Sequence, residues 1–160
     1  MQFFLSKFFA TFFFTGLFPK APGTVGTLAS VLAIYPALPF LSFYEKQYLL
    51  YGIFFIGTIA TSYYMKKTGR MDPKEVVIDE TFGIFLCIFI NQFFVSEAEV
   101  STLVLCVSTF ILFRYFDIVK PYPISLIDSK MKNALGVMLD DGLAGIFASI
   151  VFVVVIKLFL

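Results

Sequence analysis

The sequence predicts an all-α polytopic membrane protein with about five transmembrane helices and an N-terminal helix that is interfacial or re-entrant, forming a single membrane-embedded domain over residues 1–160. Three observations carry that prediction. Hydrophobic residues make up 59% of the chain and charged residues 14%, whereas a soluble domain carries roughly a quarter charged residues to coat its water-facing surface. The few charges are separated by long apolar runs. The basic residues are also distributed very unequally between the loops those runs would leave on the two sides of a bilayer.

The elements follow in order. Phe3 to Phe14 is an apolar stretch carrying Lys7 and ending at Thr15-Gly16 and Pro19. It suits a helix lying in the interface or entering partway, with its Phe side chains in the acyl region. A secretory signal peptide fits poorly, because a basic n-region is missing and no small-x-small cleavage site follows. Ala21 to Tyr44 and Gln47 to Met65 contain no charge. At 1.5 Å rise per residue a helix needs about 20 residues to cross the hydrocarbon, and both runs qualify. The runs Thr81 to Ser96, Val100 to Phe113 and Gly142 to Ile156 are shorter. They reach spanning length only by taking in Asp79 and Glu80, Arg114 and Asp117, and Lys157 respectively, which places ionisable groups at the ends of the last three helices.

Orientation follows from the bases. One side, with the N-terminus and loops 65–80 and 114–141, holds Lys7, Lys20, Lys66, Lys67, Arg70, Lys74, Arg114, Lys120, Lys130 and Lys132. The other holds Lys46 and Lys157, with Glu45, Glu97 and Glu99 beside them. The richer side is expected to be cytoplasmic, with the C-terminus outside. The formal net charge of +1 gives no case for nucleic acid. The absence of histidine excludes Ser-His-Asp hydrolysis, histidine phosphotransfer and imidazole metal sites. Cys87 and Cys106 lie in apolar runs and read as packing residues.

The unusual polar segments all fall on the cytoplasmic border: Pro22 to Thr27, Asp79-Glu80, Arg114 to Pro123, and Asp140-Asp141-Gly142. The two acidic pairs are expected at the N-terminal starts of the third and fifth spans. Helix capping accounts for one acid in each pair. Adjacent helical residues point about 100° apart, so the second is free to face inward. Two helices each sending a carboxylate to one depth make an oxygen-rich site that suits Mg²⁺ working beside substrate phosphates. Asp79, Glu80, Asp117, Asp140 and Asp141 are thus the candidate catalytic and metal-ligating residues. Arg114, Asp117 and Lys120 are three residues apart and fan across one helix face. They form either a snorkelling ion pair at the interface or a clamp in which Arg114 and Lys120 hold phosphate oxygens. Pro121 and Pro123 end that helix. Gly23, Thr24 and Thr27 open the first span, where backbone and hydroxyls can meet a phosphate, although an ordinary turn explains them as well. The segment lacks the Lys-Ser/Thr ending of a P-loop.

Taken together these segments resemble the phosphatidylglycerophosphatase A family of small integral-membrane lipid phosphatases. The resemblance rests on Gly16-Leu17 with Pro19, Pro22-Gly23-Thr24 with Gly26, and Asp79-Glu80 with Gly83. It continues through Phe113-Arg114, Phe116-Asp117, Lys120-Pro121, Pro123-Ile124 and Asp128, and on to Gly136, Asp140-Asp141 and Ala144-Gly145. Thr27 stands where the family often has Ser, keeping the hydroxyl. The resemblance implies Mg²⁺-dependent hydrolysis of phosphatidylglycerophosphate to phosphatidylglycerol and phosphate in phospholipid biosynthesis, at the cytoplasmic (inner) membrane. Arg114 and Lys120, with Gly23, Thr24 and Thr27, would meet the phosphate, and attack by water or by an Asp are both open. Cys-based phosphatases are excluded, because Cys106 is followed by Arg114 at the wrong spacing. A CDP-alcohol-type transferase would need an Arg after Ala144 and two further acids downstream, whereas Gly145 follows here and no acid comes after it. The alternative is a small membrane transporter or non-enzymatic subunit, whose charges should span the membrane depth rather than collect on one face. Assembly as a homo-oligomer is left open.

Overall fold

In the computed structural model, which describes residues 1–96 and 99–159, the described residues form α1 (Gln2–Ala10), a 3-10 turn (Thr15–Leu17), α2 (Pro22–Ile34), α3 (Phe43–Thr68), α4 (Ile78–Phe94), α5 (Thr102–Val119), α6 (Ile124–Lys130) and α7 (Ala134–Phe159). Several boundaries fall where side chains satisfy the backbone. Ser42 and Glu45 form a reciprocal capping box at the start of α3, and Gly69 closes that helix in the left-handed conformation at φ 69°. Ser101 accepts from Val104 N–H at the start of α5. The protein is all-helical, as expected, and α3, α5 and α7 are long and apolar enough to cross a membrane. Leu103, Val104, Val107, Ile111, Ile150 and Val154 are exposed along α5 and α7. An apolar surface of that kind suits hydrocarbon rather than water.

Two boundaries correct the expectation. The charge-free run from Ala21 to Tyr44 does not form one span. Its helix, α2, covers 13 residues, about 20 Å, and gives way to turns over residues 35–40, where Pro36 and Pro39 cannot continue it. The last helix begins at Ala134 rather than beside Gly142. Asp140 and Asp141 therefore lie in its second turn and are not N-terminal caps. The apolar stretch Ala134–Leu139 carries the helix up to them, and Asn133 Oδ1 accepts from Gly136 N–H at 2.9 Å near its start. α4, with 17 residues, is the central helix and packs against α7, α3, α2 and α5.

α1 runs antiparallel to the second half of α3. Tyr63 O–H donates to Gln2 Oε1 at 3.3 Å, Phe3 stacks on Tyr64 with centroids 5.7 Å apart, and Phe9 faces Ile56. α1 therefore packs lengthwise along α3 rather than across it. Phe12, Phe13 and Phe14 then turn the chain back with positive φ of 40°, 56° and 69°, held by Phe13 N–H donating to Phe8 carbonyl at 2.8 Å. The loop from Gly69 to Val77 is pinned by Glu75, which accepts from Tyr64 O–H at 2.8 Å and pairs with Arg70. At the opposite end Lys157 pairs with Glu99. Glu97, read with the outer charges, lies outside the described residues.

Deep between α4, α5 and α7 lies a polar seam. Asn91 Nδ2 donates to Thr109 Oγ1 at 2.9 Å, and Ser149 Oγ donates to Gly145 carbonyl at 3.0 Å and contacts Cys87 Sγ at 3.2 Å. All four residues of the seam, Cys87, Asn91, Thr109 and Ser149, are buried. Both cysteines are free and buried, consistent with packing roles.

Candidate active site

The acids meet because two helices touch through glycine. A Cβ added at Gly145 on α7 would collide with the Gly83 carbonyl on α4, and one at Gly83 would stand 2.6 Å from the Asp141 carbonyl. Without side chains at these two positions, the first turn of α4 and the second turn of α7 come side by side. Asp79, Glu80 and Asp141 then each offer a carboxylate oxygen, all within 4.8 Å of one another. Asp79, Asp140 and Asp141 are 8%, 4% and 3% exposed. Asp79 Oδ1, Glu80 Oε2 and Asp140 Oδ1 are buried without a hydrogen-bond partner. Burying carboxylates this closely is costly unless positive charge is supplied. The donors are all oxygen, and that fits a hard divalent cation.

The remaining predicted acids have protein partners. Asp117 accepts from Arg114 at 2.5 Å. Asp140 and Asp128 both accept from Lys120 Nζ, at 2.5 Å and 2.9 Å. The five candidate carboxylates thus divide into a converging trio, whose Glu80 also lies within ion-pair reach of Arg114, and two members held by closer ion pairs. Burial works against the charge on Lys120, but the hydrogen bonds to Asp140 and Asp128 outweigh it and raise its pKa above the ordinary lysine value. Burial would also raise Asp128, and Lys120 instead holds its carboxyl below the usual range.

Arg114, on α5, is the cation nearest the trio, with Nη1 at 3.9 Å from Glu80 Oε1. The same Nη1 donates to Thr27 Oγ1 at 3.4 Å, while Thr27 donates to the Gly23 carbonyl at 2.8 Å. Thr27 is fully buried and props Arg114 from behind. A Cβ at Gly23 would collide with Glu80 Oε1 and lie 3.3 Å from Arg114 Nη1, so this glycine lets α2 close on the acid and its cation. Thr24 lines the cavity itself.

These groups surround a cavity of about 430 Å³, whose walls come from the start of α2, the 69–77 loop, the start of α4, the end of α5 and residues 128–141. The four polar segments singled out from the sequence therefore converge. Sequence reasoning missed Asp72, Lys74 and Lys132 in that wall. They sit in charged loops, where nothing in the pattern separates a cavity residue from a solvated one.

The sequence profile of the phosphatidylglycerophosphatase A family matches residues 8–156. Phosphatidylglycerophosphatase A of Haemophilus influenzae is 34% identical over 143 residues, covering 87% of this chain and 81% of that protein. A putative phosphatidylinositol-3-phosphatase of Bacteroides thetaiotaomicron is 33% identical over 154 residues, covering 94% of this chain and 93% of that protein. Phosphatidylglycerophosphatase A of Escherichia coli is 28% identical over 142 residues, covering 86% and 75%. No solved structure shows a significant match.

Proposed function

From the premise that this chain belongs to the phosphatidylglycerophosphatase A family, we propose that it is a Mg²⁺-dependent phosphatase that releases the terminal phosphate of phosphatidylglycerophosphate, leaving phosphatidylglycerol. The reaction takes place at the cytoplasmic face of the inner membrane, within one membrane-embedded domain. The observation that supports this most directly is the meeting of Asp79, Glu80 and Asp141 beside Arg114 in one cavity.

In this reading Asp79, Glu80 and Asp141 hold the cation. When bound, Mg²⁺ neutralises phosphoryl oxygens and lowers the pKa of water. Arg114, kept in place by Thr27 and Asp117, directs its guanidinium to the oxygens that gain charge in the transition state. Lys120 is committed to Asp140 and Asp128, so it adds positive charge to the wall and ties α6 to α7 without a free ammonium. Asp117 and Asp140 are held in ion pairs, and water is the nucleophile in this reading. Hydroxylamine should then trap no acyl phosphate under single turnover, and a trapped aspartyl hydroxamate would move the attack to a carboxylate.

The decisive assay is phosphate release from phosphatidylglycerophosphate in detergent, with Mg²⁺ and with EDTA. Activity that survives EDTA would overturn the carboxylate–cation reading. The near full-length likeness to the Bacteroides protein favours a second substrate, a phosphorylated inositol lipid, and the same assay run with that lipid ranks the two by kcat/KM.

A further inference from the structure

Four cations line the cavity: Lys74, Arg114, Lys120 and Lys132. Two are spoken for. Arg114 is held by Asp117 and Glu80, and Lys120 by Asp140 and Asp128. Among the described residues Lys132 pairs only with Asp128, at 3.7 Å, and that carboxylate already accepts from Lys120. Among the described residues Lys74 has no ion-pair partner. Both lysines are exposed and come from separate loops, whereas the acids below them are almost fully buried. The cavity thus grades from a carboxylate floor to a rim carrying two lysines, with Asp72 and Asp128 the acids of the rim.

The substrate chemistry matches that gradient. A glycerophospholipid with a phosphorylated headgroup carries two anionic centres, the terminal monoester and the phosphodiester next to the glycerol backbone. The floor takes the monoester. The diester has no cation among the floor groups, and it must lie at the entrance when the monoester is inside. We propose that Lys74 and Lys132 form the seat for the lipid's phosphodiester, selecting substrates in which a diester separates the terminal phosphate from the acyl chains. This rests on the lipid-phosphatase reading above and holds for either headgroup, glycerol or inositol. The contacts are lysine to phosphate oxygen, a point-charge recognition that arginine can also supply.

The test needs no turnover. Phosphatidylglycerol carries the diester alone, and diacylglycerol of the same acyl chains carries neither phosphate. Native mass spectrometry of the full chain in neutral detergent, loaded with equal amounts of both, should show wild type retaining phosphatidylglycerol preferentially. Lys74→Gln/Lys132→Gln should lose that preference by on the order of tenfold, and Lys74→Arg/Lys132→Arg should keep it. In kinetics the Gln pair should raise KM for phosphatidylglycerophosphate while leaving kcat near wild type. A wild type without preference, a Gln pair that retains it, or an Arg pair that loses it overturns the proposal. Failure of the phosphatase reading would appear instead as wild type that releases no phosphate from phosphatidylglycerophosphate or from the phosphorylated inositol lipid.

Discussion

Replacing Gly83 by alanine tests whether the acids depend on close helix approach. The new methyl would stand 2.5 Å from Phe113 Cε2 and 2.6 Å from the Asp141 carbonyl oxygen. Ordinary contact begins at about 3.5 Å, so the walls must retreat by about 1 Å. Phe113 is fully buried, so its ring is hemmed in, and the other neighbour is the backbone of Asp141, one of the proposed cation ligands. The displacement therefore falls on α7 at Asp141. Overpacking of this kind costs roughly 1–3 kcal/mol of stability, and a 1 Å misplacement of a reacting group can cost about 10²-fold in rate. Phosphate release from phosphatidylglycerophosphate at saturating Mg²⁺, read beside thermal unfolding in detergent, should show kcat falling by about that factor in a protein that still folds. Gly52→Ala is the control, because Gly52 lies mid-way along α3 with nothing within 4 Å of its added Cβ. It should leave activity unchanged and, by helix propensity, stabilise by about 0.5–1 kcal/mol. Wild-type kcat and Tm in Gly83→Ala would refute the reasoning.

Arg114→Lys keeps the charge but loses the planar fork, and kcat/KM should fall on the order of 10²-fold; a variant keeping half its activity would remove Arg114 from the chemistry. Mg²⁺ without substrate should raise the Tm of wild type by binding the folded state alone, and Asp141→Asn should abolish that shift; an equal shift in the variant would place the cation elsewhere. Asp128 supplies a pH test. Its carboxyl is held below the ordinary value of about 3.9, so its contribution to stability is complete above about pH 4 and is lost as pH falls through the lowered folded value. Thermal unfolding between pH 3 and 7 should show that acid loss in wild type and a smaller one in Asp128→Asn, and identical profiles would show that the Lys120–Asp128 tie carries no stability.

The all-helical class with its long apolar helices was legible because a bilayer imposes a minimum length on apolar runs, and charge spacing records that length directly. The same rule overextended the first span, since counting charges ignores Pro36 and Pro39. It also began the last helix too late, at the acids, although Ala134–Leu139 can be helical without any charge. The convergence of Asp79, Glu80, Asp141 and Arg114 was legible from their places at the ends of the apolar runs, on the side that holds most of the bases. Their division of labour was not. Whether Asp140 or Asp141 faces Asp79 depends on how α7 is rotated, and that rotation follows from the Gly83–Gly145 contact between residues far apart in the chain. Thr27 illustrates the same limit: its hydroxyl was visible, but its place behind Arg114 required the fold.

The polar seam below the acids has a consequence for how this molecule can vary. Lipid tails and apolar side chains greet a helix almost equally well, so greasy packing alone is a poor judge of rotation inside a bilayer. Directional bonds from Asn91 to Thr109 and from Ser149 to α4 and its own helix act as an index pin. They lock three helices at one angular setting, about one to three turns away from where phosphate would be handled. The outward-facing skin of α5 and α7 is thereby released from any duty except greasiness. It can be exchanged residue by residue to suit a thicker, thinner or stiffer bilayer while the carboxylates stay aligned.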